Sequence, residues 1–205
     1  MTVELDYPFR GRWQARNSPA HRVPSHGTDL FGSSYAIDFV PVDDAGRSAP
    51  MSLASFIRSE PPDRFAGFGR PVLAPIAGRV VAAHDGERDH RAYRGLPSMA
   101  YAVTQRSRLA GGWPGLAGNH VIIDADGVFV ALCHLNHGSL LVHTGDTVRK
   151  GEPIAACGNT GNSTEPHLHI QAVDRLDIPH AKAVPMTFRG RVPADGEVVD
   201  IADAR

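Results

Sequence analysis

Between Pro71 and Gln171 the apolar residues come in short runs, each closed by Gly, Pro, Asp, Asn or Ser, and this punctuation restricts the fold more than any other feature. RPVLAP, GRVVAAH, HVIIDA, VFVALCHL and EPIAAC have the length of strands, and little periodicity at helical spacing joins them. The chain is therefore expected to be all-β, built from short strands. With 205 residues and 42% hydrophobic content it is long enough for one domain with a proper apolar core.

Residues 1–30, rich in Pro, Arg, Ser and His, read as a surface arm holding at most one short strand. Next, SYAIDFVPV alternates: Tyr35, Ile37 and Phe39 share one face, and Ser34, Ala36, Asp38 and Val40 the other. Asp38 thus falls inside a strand among apolar neighbours, where a carboxylate is costly unless paired or bound to metal. An edge strand with Asp38 in water is the alternative. Residues 43–70 are charged and rich in Pro and Gly, an excursion with a short helix over Ser52 to Arg58. Two strands follow around Pro75 to Gly78. The stretch 86–118 is polar and broken by Gly and Pro, so it is either a functional flap or disordered. Its Tyr93, Met99, Tyr101 and Trp113 supply apolar surface to lie over a groove. Asp-Ala-Asp-Gly and His-Thr-Gly-Asp are turn chemistry between the later strands.

A net charge of −1 with no basic run gives no electrostatic footprint for nucleic acid or an anionic membrane surface. No run is long and apolar enough to span a bilayer, so membrane insertion is not expected. The start MTVELDYPFRGRW lacks the basic and apolar segments of a secretory signal, which taken literally keeps the chain in the cytosol. Cys133 and Cys157 form no metal-type pair and are read as buried thiols, with a single bridge left open. The eleven histidines are the compositional oddity.

In GNTGNSTEPHLHIQ, the residues His167 and His169 point to one side of an extended strand, while Leu168 and Ile170 point into a core. Pro166 sets the start of that strand and the Gly, Asn, Ser and Thr run supplies a turn. A surface strand that happens to carry two histidines is the bland alternative. Glu165 is read as capping the turn, and Asn159 and Asn162 as bonding its backbone. His84, His90, His137, His143 and His180 are read as solvated, and His120 as a minor candidate for lining a groove.

APIAGRVVA, GNHVII, ALCHL, VHTGDTVRKGEPIAACGNTGNSTEPHLHIQ and AIDF around Asp38 together resemble the lysostaphin-type zinc endopeptidases, which cut peptidoglycan peptides. The likeness runs over about residues 34–172. It implies a two-sheet antiparallel β-sandwich, or barrel-sandwich-like core, with a groove on one sheet and long surface loops. It implies one zinc ion held by a histidine, Asp38 and His169, with His134 and His167 as catalytic imidazoles outside the ligand set. The implied organisation is an arm over 1–33 that lends a loop to the site, a peptidase domain over 34–190 with 86–118 as an inserted flap, and a tail over 191–205. The implied partner is a peptide or peptidoglycan substrate, and the implied location is outside the cytoplasm.

One departure stands out. The family places its first zinc histidine four positions before the aspartate, where this chain has Ser34, and a hydroxyl is a poor zinc ligand. His26, next to Gly27 in a loop able to fold back over its own strand, is the best substitute, with His21 in reserve. Three such ligands leave a fourth position open for water, the arrangement of catalytic zinc. On this reading His167 moves the proton and His134 donates a hydrogen bond to the oxyanion. Competing readings remain. The Ser34 departure also suits a metal-free relative that keeps the groove as a binding or regulatory surface. The VHTGDTVRKGEPIA hairpin resembles biotinyl and lipoyl carriers, and the fold that of a sugar phosphocarrier, but both leave Asp38 without a purpose.

Overall fold

The computed structural model describes residues 1–50, 53–98 and 111–202. The strands are β1 (Val3–Leu5), β2 (Gly11–Arg16), β3 (Ile37–Pro41), β4 (Pro71–Leu73), β5 (Gly78–His84), β6 (His120–Ala125), β7 (Val128–Cys133), β8 (Thr147–Val148), β9 (Pro153–Ala156), β10 (Leu168–Val173), β11 (Met186–Phe188) and β12 (Val198–Ile201). Eight of them form one sheet in the order β12-β2-β3-β10-β7-β6-β5-β8, every neighbouring pair antiparallel. Two small sheets, the parallel pair β1-β11 and the antiparallel pair β4-β9, complete the β structure. The expected all-β class with a groove on one sheet holds, and the large sheet stays open between its β12 and β8 edges.

Alternation along the strands sorts side chains onto two faces. Ile37 and Phe39 of β3, Val128, Val130 and Leu132 of β7, and Leu168, Ile170 and Ala172 of β10 all enter the main core with the small sheets. The opposite face receives Ala131 and Cys133 of β7 and Val173 of β10, together with Trp113 and Ala117 from a short helix, α1 (Gly112–Ala117). Asp38 and His169 belong to this second face, as the sequence alternation requires.

The β6-β7 hairpin shows how the turns fix register. Ala125 pairs with Val128 across a two-residue loop in which Asp126 and Gly127 take φ of 55° and 86°. Two positive φ angles give the turn whose twist matches the strands, and the Gly127 amide donates to the Asp124 carboxylate at 2.8 Å.

The N-terminal segment departs from the expected arm. β2 lies inside the main sheet between β12 and β3, and Phe9 and Trp13 are fully buried. Their rings stack at 4.6 Å, and Phe9 meets Phe39 edge-on at 4.9 Å. Each such ring contributes about 2–3 kcal/mol by burial, and each aromatic pair about 1 kcal/mol more. The segment expected as a tail supplies β12, whose Val199 and Ile201 are buried and which pairs with β2. Of the expected helix over Ser52 to Arg58, a 3-10 turn at Leu53–Phe56 is observed, and Ser52 lies outside the described residues. Cys133 and Cys157 are both buried free thiols. No helix among the described residues is long and apolar enough to cross a membrane.

Candidate metal centre

Pairing of β3 with β10 places Asp38 directly opposite His169. His169 Nδ1 lies 2.9 Å from Asp38 Oδ1, and Asp38 is only 7% exposed. The edge-strand alternative for Asp38 fails because β2 covers one side of β3 and β10 the other.

His26 arrives from the loop before β3. The Ser25 amide donates to the Ser34 carbonyl at 2.9 Å, and the Ser25 hydroxyl donates to the Ser33 carbonyl at 3.2 Å. The loop is thereby folded back on position 34, and His26 Nε2 comes to 3.1 Å from Asp38 Oδ2. His21 stays exposed and outside the cluster. One donor atom each from His26, Asp38 and His169 lie within 4.8 Å of one another, and among the described residues no other group of three metal-ligating side chains does so.

His167 and His134 face the same cavity. His167 Nε2 lies 3.7 Å from Asp38 Oδ1, and the His134 and His167 rings are 4.7 Å apart. His134 follows β7 with φ of 63°, a left-handed turn that carries it off the strand.

The second nitrogen of each ring is spoken for by an acceptor outside the cavity. His26 Nδ1 lies 3.0 Å from Ser25 Oγ, whose own proton goes to Ser33. His134 Nδ1 donates to the Thr160 carbonyl at 2.9 Å, and His167 Nδ1 to the Glu165 carbonyl at 2.8 Å. His169 Nε2 donates to Gln171 Oε1 at 3.1 Å, while the amide nitrogen of Gln171 donates to the Phe31 carbonyl at 2.8 Å. With these protons turned outward, the inward nitrogens of His26, His167 and His169 present lone pairs to a carboxylate. Lone pairs and carboxylate repel unless a proton or a cation lies between them. Two imidazoles and one carboxylate, oriented by outer hydrogen bonds, make a donor set that fits zinc.

Where no cation is bound, protons on the facing nitrogens take its place beside Asp38. Burial raises the Asp38 pKa, but His26, His167 and His169 outweigh it and hold the carboxyl well below its ordinary range. Burial lowers His26, and Asp38 reverses this to a net rise. Burial, reinforced by His167 and His169, pushes His134 well below the usual imidazole value, so it stays neutral.

A cavity of about 200 Å³ opens beside these groups, and Leu30, Phe31, Trp113 and Leu116 supply its apolar lining. Helix α1 is seated by a close approach of two glycines. A Cβ on Gly118 would sit 2.5 Å from Thr160 Oγ1, and one on Gly161 2.5 Å from the Gly118 nitrogen. Trp113, expected in a flap, is thus part of the wall, whereas Met99 and Tyr101 lie outside the described residues.

Several supporting residues had weak sequence signals. Asn17 donates to Asp38 Oδ2 at 2.7 Å from a left-handed position, and nothing in its sequence context marks it. Gln171 was marked only by sharing the face of His167 and His169. Glu165 was expected to cap its turn, but its side chain instead accepts from Arg16 at 2.6 Å and Ser48 at 2.5 Å. Being nine-tenths buried, it needs those partners more than the turn does. Asn159 was expected to bond its turn, but its amide donates to the His90 carbonyl of the distant loop at 2.9 Å. His90, read as solvated, is only half exposed and bonds the Gly161 carbonyl at 3.1 Å. His84, His137, His143 and His180 are exposed. His120 is buried against Trp113, its ring 4.7 Å away, rather than in the cavity wall.

Known proteins resemble this chain to different extents. The peptidoglycan DD-endopeptidase ShyB of Vibrio cholerae is 31% identical over 126 residues, covering 58% of this chain and 28% of that protein. An uncharacterized metalloprotease of Haemophilus influenzae is 38% identical over 100 residues, covering 47% of this chain and 20% of that protein. The chain therefore spans less than a third of the length of either relative. Among solved structures, the catalytic domain of lysostaphin from Staphylococcus simulans aligns at a TM-score of 0.41 and 20% identity, covering 73% of this chain and 74% of that one. The model of peptidase family M23 matches residues 63–180, more than half of the sequence, and the chain belongs to that family.

Proposed function

We propose that this protein is a zinc-dependent endopeptidase that hydrolyses peptide bonds in peptidoglycan, in cross-links or stem peptides. The observation that carries the reading is the convergence of His26, Asp38 and His169, each ring with its second nitrogen bonded outward. These three residues would hold the metal. Bound there, zinc supplies Lewis-acid polarisation of the scissile carbonyl and an activated water near neutral pH.

The chain's own groups divide the remaining work. His167, clamped through Nδ1 by the Glu165 carbonyl and beside Asp38, offers Nε2 as the proton acceptor and passes that proton to the leaving amine. His134 takes a role other than the oxyanion donor suggested by sequence. Its only N–H is committed to Thr160 and burial keeps it neutral, so its Nε2 accepts a hydrogen bond and orients the attacking water. Action on peptidoglycan puts the working protein outside the cytoplasm.

The test is metal analysis of the purified protein alongside release of soluble fragments from isolated peptidoglycan. Equimolar zinc, with release stopped by chelation and restored by zinc, supports the proposal. Protein that binds peptidoglycan without retaining zinc or releasing fragments favours the metal-free binding module instead.

A further inference from the structure

Gln171 is buried, 2% exposed, and shares one face of β10 with His169. Its two amide ends point in different directions chemically. Oε1 accepts the Nε2 proton of His169 at 3.1 Å, and the amide nitrogen donates to the Phe31 carbonyl at 2.8 Å. The second bond fixes the first, because a backbone carbonyl accepts only and so forces the NH2 end toward Phe31.

The Phe31 carbonyl belongs to the cavity wall. Phe31 itself has φ of 59° and Gly32 φ of 69°, two consecutive left-handed residues. A Cβ on Gly32 would lie 2.5 Å from Val173 Cγ1, so the loop is pressed directly onto β10. A Phe in left-handed conformation is strained and persists only when its surroundings hold it. The Gln171 amide is one such restraint, applied from inside.

We infer that Gln171 is a positioning residue that couples the metal-ligand face of His169 to the Leu30-Phe31 wall of the substrate cavity. This rests on the zinc-peptidase reading for its metal half. Its oxygen accepts the Nε2 proton of His169 and so keeps Nδ1 turned toward Asp38 and the ligand position. Its nitrogen holds the wall against which a substrate side chain packs. Ligand orientation and substrate fit are therefore set by one side chain.

Two substitutions separate these duties. Gln171→Met keeps the volume and removes both bonds, whereas Gln171→Glu keeps an acceptor for His169 and removes the donor to Phe31. Zinc affinity, measured by competition with a chelating dye, falls about tenfold to a hundredfold in Gln171→Met, the usual effect of losing an outer partner of a ligand. In Gln171→Glu the affinity stays within about threefold of the parent because the acceptor remains. KM for a soluble peptidoglycan peptide rises about fivefold in both, the worth of one net hydrogen bond. Ring-nitrogen NMR of the metal-free protein finds the His169 Nε2 protonated and hydrogen-bonded in the parent and in Gln171→Glu, with that hydrogen bond lost in Gln171→Met. Equal zinc affinity and KM in all three proteins overturns the inference, as does an equal loss of affinity in both variants. A parent that binds no zinc sinks the peptidase reading, and the ring-nitrogen spectra then decide the positioning role alone.

Discussion

Asp38 and His169 are cross-strand partners on β3 and β10, separated by 131 positions in sequence yet 2.9 Å apart through Oδ1 and Nδ1. Their meeting follows from backbone register, because residues directly opposite on antiparallel strands carry side chains to the same face. A one-residue slip would send one of them into the apolar core.

If this pair and His26 hold the metal, Asp38→Ala, His169→Ala and His26→Ala each lower zinc stoichiometry from near one to near zero. His21→Ala leaves it unchanged, since His21 is exposed and outside the cluster. Elemental analysis after gel filtration reads the difference, and retained zinc in Asp38→Ala would falsify the assignment.

His167→Ala separates chemistry from metal binding. The variant keeps its zinc and loses turnover by about 10²- to 10⁴-fold, the usual worth of a positioned proton carrier. Steady-state rates on a peptidoglycan peptide, paired with metal content, check it. Loss of both together would make His167 a ligand.

Acid should loosen the metal-free protein, and His120 isolates part of the effect. Burial, aided by His84, lowers the His120 pKa below 6.5, although its bond to the Gly118 carbonyl opposes this. Its contribution to stability is full above the unfolded value of about 6.5 and is lost as pH falls toward the folded value. Between those limits the unfolded state binds more protons, at up to about 1.4 kcal/mol per pH unit. Urea midpoints at pH 7.5 and 5.5 should converge in His120→Gln relative to the parent. His26 works in the opposite direction, since its raised pKa stabilises the fold at low pH and that support disappears as pH climbs through the folded value.

Trp13→Ala tests whether the first strands belong to the core. The side chain is fully buried and stacked on Phe9, so its removal should cost about 3–5 kcal/mol. A denaturation midpoint within error of the parent would return the segment to the status of an arm.

Much of the site was readable because its residues obey strand periodicity. Asp38 among apolar neighbours and the His167/His169 pair required only alternation to be assigned a common face. Residues 1–16 were legible in principle: Val3, Leu5, Tyr7, Phe9, Trp13 and Ala15 all fall on odd positions. Arg10, Gly11 and Arg12 interrupt that series and hid it. Asn17 and the arrival of His26 were of another kind. Both depend on tertiary hydrogen bonds, Asn17 to Asp38 and Ser25 to Ser33 and Ser34, which no local pattern records. The partner of His134 Nδ1 is of the same kind, since it is the carbonyl of a residue 26 positions away.

The long sequence interval between the two sides of the β3-β10 ladder also has a temporal meaning. A ribosome has threaded out His26 and Asp38 well before it reaches the segment bearing His167 and His169. No nascent or prematurely released fragment lacking that segment can assemble the centre, however well its early strands collapse. On the proposed reading, a peptidase laid out in this way stays inert until its β10 segment has been made and paired.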